Sequence, residues 1–338
     1  MKKLLALLII YPIAALVALR VGATLADLTS IGAYVAQVHP VIVVATLAAG
    51  FTVASFLLGA FTGDYSWVDR LWSTAPVAFA WVYAVRSAFE PTVTLAAILI
   101  TIWGLRLTFN FARRGGYTTL EDYRWPILRE RIRNPILWQL FNLLFISGFQ
   151  VGLFILFTAP VHRLATLGTP VASVTMMGAT LLFLILLGIE TVADQHQWTF
   201  QQIKYGGRPK EDVPGWFGTA SYAPSEGLAA DLQRGFLTHG LFRLSRHPNY
   251  FGELGVWWTL YLFAGVAAGG FLHWSGLGVV LLTALFVGST RFTESISAAR
   301  YHRYTDYQAW TSAIIPWPSS RPVAGEEATE QEGTAGDS

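Results

Sequence analysis

Apolar residues run through this chain in eight blocks, near 4–20, 41–61, 72–90, 92–111, 137–158, 172–193, 251–268 and 272–290. Each is about as long as the ~20 residues that carry an α-helix across the hydrocarbon of a bilayer. The pattern predicts an all-α, multi-span helical membrane protein with about 7–8 transmembrane helices. Polar residues collect between the blocks. Two connections are long, Ala112 to Ile136 and Asp194 to Asn249. In the second, Ala193 to Lys204 continues the preceding helix, and Gly206-Gly-Arg-Pro and Val213-Pro-Gly end it. Trp216, Phe217 and Tyr222 argue that this connection is ordered, and loops of such length are usually functional. No internal repeat or long Gly/Ser linker divides the chain, so residues 1–320 read as a single helical domain.

Composition agrees with the blocks: 53% of residues are hydrophobic and 13% charged, where soluble domains have about a quarter charged. The chain has no cysteine, which removes disulfides, thiolate zinc sites and cysteine nucleophiles. The net charge of +2 says less than its placement. With a cytoplasmic N-terminus, all lysines and arginines but Arg20, Arg86 and Arg163 fall on one side. That asymmetry places both termini and the long connections in the cytoplasm, in an inner (cytoplasmic) cell membrane. The first block also fits a signal peptide, since Met1-Lys-Lys leads into an apolar run with Ala26 as a cleavage point. Both readings give the remaining blocks the same orientation. Val323 to Ser338 has five acids and no aromatic residue, and reads as a disordered acidic tail over 323–338.

Four polar constellations fall on the inferred cytoplasmic face. In Asp64-Tyr-Ser-Trp-Val-Asp-Arg-Leu-Trp72, Asp69 and Trp72 are three apart and would share a helix face. The plainer account makes Trp67 and Trp72 headgroup anchors, with Asp69 paired to Arg70 or Arg106. Arg106, Asn110 and Arg113, followed by Arg114, form a stripe suited to phosphate, which the arginine fork binds bidentately. Positive-inside bias covers Arg113 and Arg114 and leaves the deeper Arg106 over. Glu190 and Asp194 are like charges one turn apart, so a cation or a hydrogen-bond donor should sit between them. Glu190, Asp194, His247 and Glu294 are conceivable metal ligands, but there is no local metal signature and no metal is expected. The fourth constellation joins Gly240-Leu-Phe-Arg-Leu-Ser-Arg-His-Pro-Asn-Tyr-Phe-Gly-Glu253 to Arg291, Glu294, Tyr301, Tyr304 and Tyr307. It places Arg243, Arg246, His247, Asn249, Tyr250 and Glu253 at the start of an apolar run, where polar residues are expensive. A helix entry at Pro248 accounts for part of it. P-loop and G-x-G-x-x-G signatures are absent.

The segment Gly240 to Glu253, with Arg291 to Tyr307 and Ile314-Ile-Pro-Trp317, resembles the C-terminal part of the steroid 5-alpha-reductase-like superfamily. That superfamily includes sterol reductases and isoprenylcysteine carboxyl methyltransferases. Asp64 to Pro76, Trp103-Gly-Leu-Arg to Tyr117 and Glu121-Asp-Tyr-Arg-Trp125 look most like its bacterial branch, and the resemblance covers roughly 60 to 317. It implies a cytoplasmic-side cofactor cavity and a hydrophobic lipid substrate entering from the bilayer. It also implies NADPH as hydride donor to a double bond conjugated to a carbonyl. By this resemblance Asn249, Glu253, Asp194 and Arg106 are cofactor-side residues, and Asp69 stands where the reductases have a catalytic glutamate. Trp103 occupies the place of their substrate-contacting tyrosine, so Tyr65, Tyr83 or Tyr123 would substitute.

The expectation is a membrane-embedded NADPH-dependent reductase with Asp69, Tyr65 and Tyr83 catalytic. Its cofactor would be held by Arg106, Asn110, Arg113, Arg114, Glu190, Asp194, Arg243, Arg246, His247, Asn249, Tyr250, Glu253, Arg291 and Tyr304. The partners are the lipid bilayer and the lipid substrate, with no nucleic acid. Two alternatives stay open: an S-adenosylmethionine-dependent methyltransferase of a lipid or lipidated acceptor, and a non-enzymatic lipid-binding membrane protein. Apolar span centres disfavour a transporter.

Overall fold

The computed structural model describes residues 37–118, 121–167, 173–206 and 226–319. Among these residues the regular structure is helical and there are no strands. The helices are α1 (Pro40–Thr62), α2 (Ala75–Arg86), α3 (Pro91–Arg113), α4 (Arg124–Ile132), α5 (Pro135–Phe141), α6 (Gln150–Leu167), α7 (Ser173–Lys204), α8 (Glu226–Arg234), α9 (Pro248–Ala267), α10 (Leu277–Arg300) and α11 (Tyr304–Trp310). Proline opens α1, α3 and α5, where its missing N–H costs no hydrogen bond. Side-chain caps precede them: Glu90 accepts from the Val93 N–H at 2.9 Å, and Asn134 accepts from Ile136 and Leu137.

Five helical segments are long and apolar enough to cross a membrane: Pro40–Thr62, Pro91–Arg113, Pro135–Leu167, Val174–Lys204 and Trp274–Arg300. The third joins α5 to α6 through a π-helix, Asn142–Phe149. Three expected spans are not among the five. The block at 4–20 lies outside the described residues, as do Trp216, Phe217, Tyr222 and the tail. The block at 72–90 becomes the 12-residue α2, about 18 Å long against a hydrocarbon thickness of about 30 Å. It is shortened because its approach is spent in two 3₁₀ turns, Tyr65–Trp67 and Asp69–Leu71. The block at 251–268 is the 20-residue α9, whose glycines, tryptophans and tyrosines make it less apolar than the others.

Instead of the expected single domain, the chain divides into two compact units. The first holds the described residues up to Phe183 together with Trp257–Leu282. In it α2 packs on α3 and α6, and α1 packs on the π-helix. Its core is aromatic: Trp103 meets Trp257 edge-on at 4.9 Å, Trp257 lies 4.3 Å from Phe157, and Trp72 meets Phe154 at 4.9 Å. Ile42, Phe61, Leu105 and Phe109 are exposed on outer helix faces, as contact with lipid requires. The second unit holds Leu184–Val256 and the described residues from Thr283. Its core is built on Phe200, Leu237 and Phe242, with a neighbouring cluster of Phe236, Tyr304 and Tyr307.

Glycine sets how closely helices approach. A Cβ on Gly278 of α10 would collide with the backbone of Leu156 and Phe157, whereas one on Gly288 of the same helix meets nothing within 4 Å. Gly278→Ala should therefore destabilise by about 1–3 kcal/mol through overpacking, while Gly288→Ala should stabilise by about 0.5–1 kcal/mol through helix propensity. Opposite shifts in the thermal unfolding midpoint in detergent check both.

Candidate functional site

In the second unit the segment Gly240–Glu253 forms a 3₁₀ turn at Gly240–Arg243, an irregular link, and the first turns of α9. The link is bound along its backbone to the last described residues. The Arg246 N–H donates to the Ser312 carbonyl (2.8 Å), that of His247 to Ala313 (3.0 Å), and that of Trp317 to Leu244 (2.8 Å). The buried Ser245 hydroxyl donates to the carbonyls of Ala313 and Ile314. Two stretches that are 65 or more residues apart thus form one seam.

Glu294, on α10, is the hub of this region. Arg246 donates to its two oxygens at 2.6 and 3.0 Å, Gln308 donates to Oε2 at 2.9 Å, and His247 Nε2 lies 3.0 Å from Oε1. The remaining Arg246 nitrogen, Nη1, donates to the carbonyls of Gln308 and Thr311. Bidentate charge-assisted bonds are the strong kind, and this pair is buried, with side chains 10% and 8% exposed. Arg246 is thereby fixed as an anchor of the C-terminal segment. That differs from the expected cofactor arm, because carbonyls and Glu294 occupy its donors. His247 stacks on Tyr250 at 5.0 Å, and Tyr250 meets Phe286 edge-on at 4.8 Å.

On the adjoining helices, Asn249 Nδ2 donates to Asp194 Oδ1 at 3.2 Å. This supplies the donor that the Glu190/Asp194 spacing demands. The approach of α9 to α7 depends on Gly252, where a Cβ would lie 2.6 Å from Glu190 Cβ and 2.7 Å from the Leu186 carbonyl oxygen. Glu190, Asp194 and Glu253 are all buried. Three carboxyl groups and an amide on two closely packed helices can orient a polar, hydroxyl- or amide-bearing ligand.

In the first unit, two motifs distant in sequence form a second seam. Asp64 accepts from the Ser66 N–H at 3.1 Å and pairs with Arg70 at 2.9 Å, both side chains buried. The Arg70 guanidinium lies 4.3 Å over the Trp67 ring and donates to the Gly116 carbonyl at 3.0 Å. The Tyr65 N–H donates to Glu121 (2.9 Å), the Asp122 N–H to the Ser66 hydroxyl (2.7 Å), and Trp125 Nε1 to Asp69 (3.1 Å). Asp69 is partly exposed. Burial first, and the negative charge of Asp122 second, push its carboxyl up to about 6, against the pull of Arg124 and of hydrogen bonds from Ser66 and Trp125.

Several expectations change. Asp69 and Trp72 do not share an α-helical face, since Asp69 opens a 3₁₀ turn. Arg70 pairs with Asp64 instead of Asp69. Trp67 is fully buried and donates to Thr62, and Trp72 donates to Gln150 at 2.7 Å, so neither is a simple headgroup anchor. Tyr65 accepts at its hydroxyl from Gln139 at 3.1 Å. Tyr83 lies about 12 Å along α2 from Ala75, buried against His162 at 5.1 Å, so the Asp69 seam does not include it. Arg113 turns back onto Asn110 Oδ1, at 2.9 and 2.6 Å. Arg106 is half-buried, while Arg114, Arg243 and Arg291 are exposed. Tyr304 is packed edge-on to Phe236 at 5.0 Å, which makes it part of the core. Burial first, and then Glu294, raise its phenol pKa. Sequence reasoning missed Gln139, Asn142 and Gln150. Their signal was available, as amides inside an apolar block.

Glu294→Ala strands the buried Arg246 and should cost about 3–5 kcal/mol, whereas Asp306→Ala, which removes an exposed partner of Arg303, should cost about 1 kcal/mol or less. Denaturation midpoints compare them. For Asp69 the folded value of about 6 exceeds the ordinary 3.8, so the folded chain holds a proton that the unfolded chain releases. Its contribution to stability must fall as pH rises between those values. Melting temperature against pH should show that slope in the wild type, and Asp69→Asn should lack it.

The family model described as "Protein of unknown function (DUF1295)" matches residues 55–314, which takes in both seams. A fission yeast protein (Schizosaccharomyces pombe), titled "Uncharacterized protein C594.04c", is 33% identical over 275 residues, covering 78% of this chain and 77% of that one. No solved structure matches. The chain belongs to the DUF1295 family.

Proposed function

We propose that this protein is an NADPH-dependent reductase of the steroid 5-alpha-reductase-like superfamily, acting within the membrane on a lipid's carbon–carbon double bond conjugated to a carbonyl. The observation that carries the reading is the Asp69 carboxyl, held by the Trp125 indole beside Asp122 and raised to about 6. A carboxyl kept protonated near neutral pH can donate a hydrogen bond to a carbonyl oxygen as negative charge develops there. NADPH, when bound, supplies the hydride to the far carbon of the double bond. A proton then adds to the carbon next to the carbonyl, giving a saturated ketone or aldehyde and NADP⁺. Asp69 would polarise the carbonyl, and Tyr65, whose hydroxyl meets Gln139, is the nearer in sequence of the two candidate phenols. Asn249 and Asp194, with Glu253 on the same helix as Asn249, suit the polar nicotinamide or ribose part of the cofactor. The arginines open to ligand phosphates are Arg106, Arg114, Arg243 and Arg291. The proposal includes 7–8 spans, a cofactor cavity on the cytoplasmic side, and both termini in the cytoplasm of an inner membrane. The one-sided distribution of lysine and arginine supports that orientation.

One observation favours a second reading. Three buried carboxyls, with Tyr250 stacked on His247, also suit a sulfonium cation, as an S-adenosylmethionine-dependent methyltransferase requires.

Thermal unfolding of the purified protein with NADPH, NADH or S-adenosylmethionine separates the readings, since a ligand at 100 times its dissociation constant stabilises by about 2.7 kcal/mol. NADPH alone should raise the midpoint. Asn249→Ala and Glu253→Ala should weaken that effect, and Asp69→Asn should lower turnover while leaving NADPH affinity intact. A response to S-adenosylmethionine alone would establish the methyltransferase, and silence from all three would point to a non-enzymatic lipid-binding protein.

A further inference from the structure

We propose that the cleft lined by Arg234, Arg243 and Arg303 in the second unit is a binding site for a phosphate monoester. It shares no residue with the Asn249–Asp194 pair. Three separate elements bring the arginines to one concavity: Arg234 ends α8, Arg243 ends the 3₁₀ turn, and Arg303 immediately precedes α11. Hydroxyls of Thr238, Thr311 and Ser319 also line it.

The floor is rigid. Phe236 stacks on Tyr307 at 5.5 Å, and the Tyr307 hydroxyl donates to the Phe242 carbonyl at 2.5 Å. A lysine- or arginine-rich surface belt, as positive-inside bias alone would give, needs no concave aromatic floor. The cleft has one.

The carboxylates nearby leave the arginines able to take an anion. Asp231 is fully buried and accepts from the Thr238 N–H at 3.2 and 3.1 Å and from its hydroxyl at 2.7 Å. His239 Nδ1 lies 2.8 Å from its other side. Arg234 stands 3.6 Å from Asp231, beyond good hydrogen-bond distance. Asp306 faces Arg303 at 3.3 Å, with both side chains nearly half exposed, and exposed pairs of this kind hold weakly. Three cations against one exposed carboxylate match a ligand with a charge near −2 better than a single carboxylate ligand. A phosphate monoester carries about −1.5 to −2 and three strong acceptor oxygens, and the guanidinium fork fits it bidentately.

A phosphate monoester can come from a lipid headgroup or from a soluble molecule. Binding to the full chain in neutral detergent should be measured with phosphatidic acid and with inorganic phosphate, using phosphatidylcholine as the control. At least one monoester probe should bind and phosphatidylcholine should not. Arg243→Gln, a change at an exposed residue, should weaken binding about tenfold, the size of one charge-assisted hydrogen bond. Arg243→Gln with Arg303→Gln should weaken it further. Much tighter binding of phosphatidic acid assigns the site to a lipid headgroup, and equal binding of the two probes assigns it to soluble phosphate. Asn249→Ala should leave binding of both probes unchanged, which separates this site from the cofactor reading. Failure of both probes to bind, or binding that Arg243→Gln leaves at wild-type strength, overturns the proposal.

Discussion

The Glu294 carboxylate decides the shape of the second unit. It gathers the Arg246 fork, the His247 ring and the Gln308 amide, and so fixes the entry to α9 relative to α10 and the segment after α11. Because the group is buried, the arrangement is all-or-none. A charge at such a site is tolerated only when its partners are complete. The backbone bonds between 244–247 and 312–317 then follow the side chains, and Asn249 emerges one turn later on a helix whose position is settled.

The Asp64–Arg70 pair has a corresponding role in the first unit, but beside it stands a carboxyl of different character. Asp64 is neutralised by a buried guanidinium. Asp69, five residues on, has only an indole N–H and a hydroxyl against it, with Asp122 as an unfavourable neighbour. One acid therefore holds the loop together while the other is left near neutrality. Separation of two carboxyls by environment is how a fold provides an acid beside a structural anion.

Much of this was legible in the sequence. Block length and composition give helices in a membrane, and four of the five membrane-length helices open within a few residues of an apolar block, while the remaining one extends past it into Pro135. The density of polar residues at Gly240–Glu253 and Asp64–Trp72 marks both seams. The one-turn spacing of Glu190 and Asp194 required a donor, and Asn249 is that donor. What could not be read is partnership. No local rule pairs Arg246 with Glu294, 48 residues away, or Trp125 with Asp69, 56 away. Residue type alone also made Tyr304 and Arg246 look like ligand contacts, whereas long-range packing committed both to the interior. The length of α2 was hidden for a related reason, since hydropathy does not register the two 3₁₀ turns that consume its approach.

The π-helix at Asn142–Phe149 bears on how this chain is able to vary. Its wider turns hold about one residue more than α-helical turns, and Phe141, Phe145 and Phe149 stack along it at 5.0 and 5.3 Å. Losing a single residue there would let the rod relax to an ordinary α-helix and rotate everything beyond it by roughly 100°. Gln150 would then swing away from Trp72, and the face that α6 presents to α2 would change. In this stretch the number of residues is constrained more tightly than their identity, so apolar exchanges are tolerated where insertions and deletions are not.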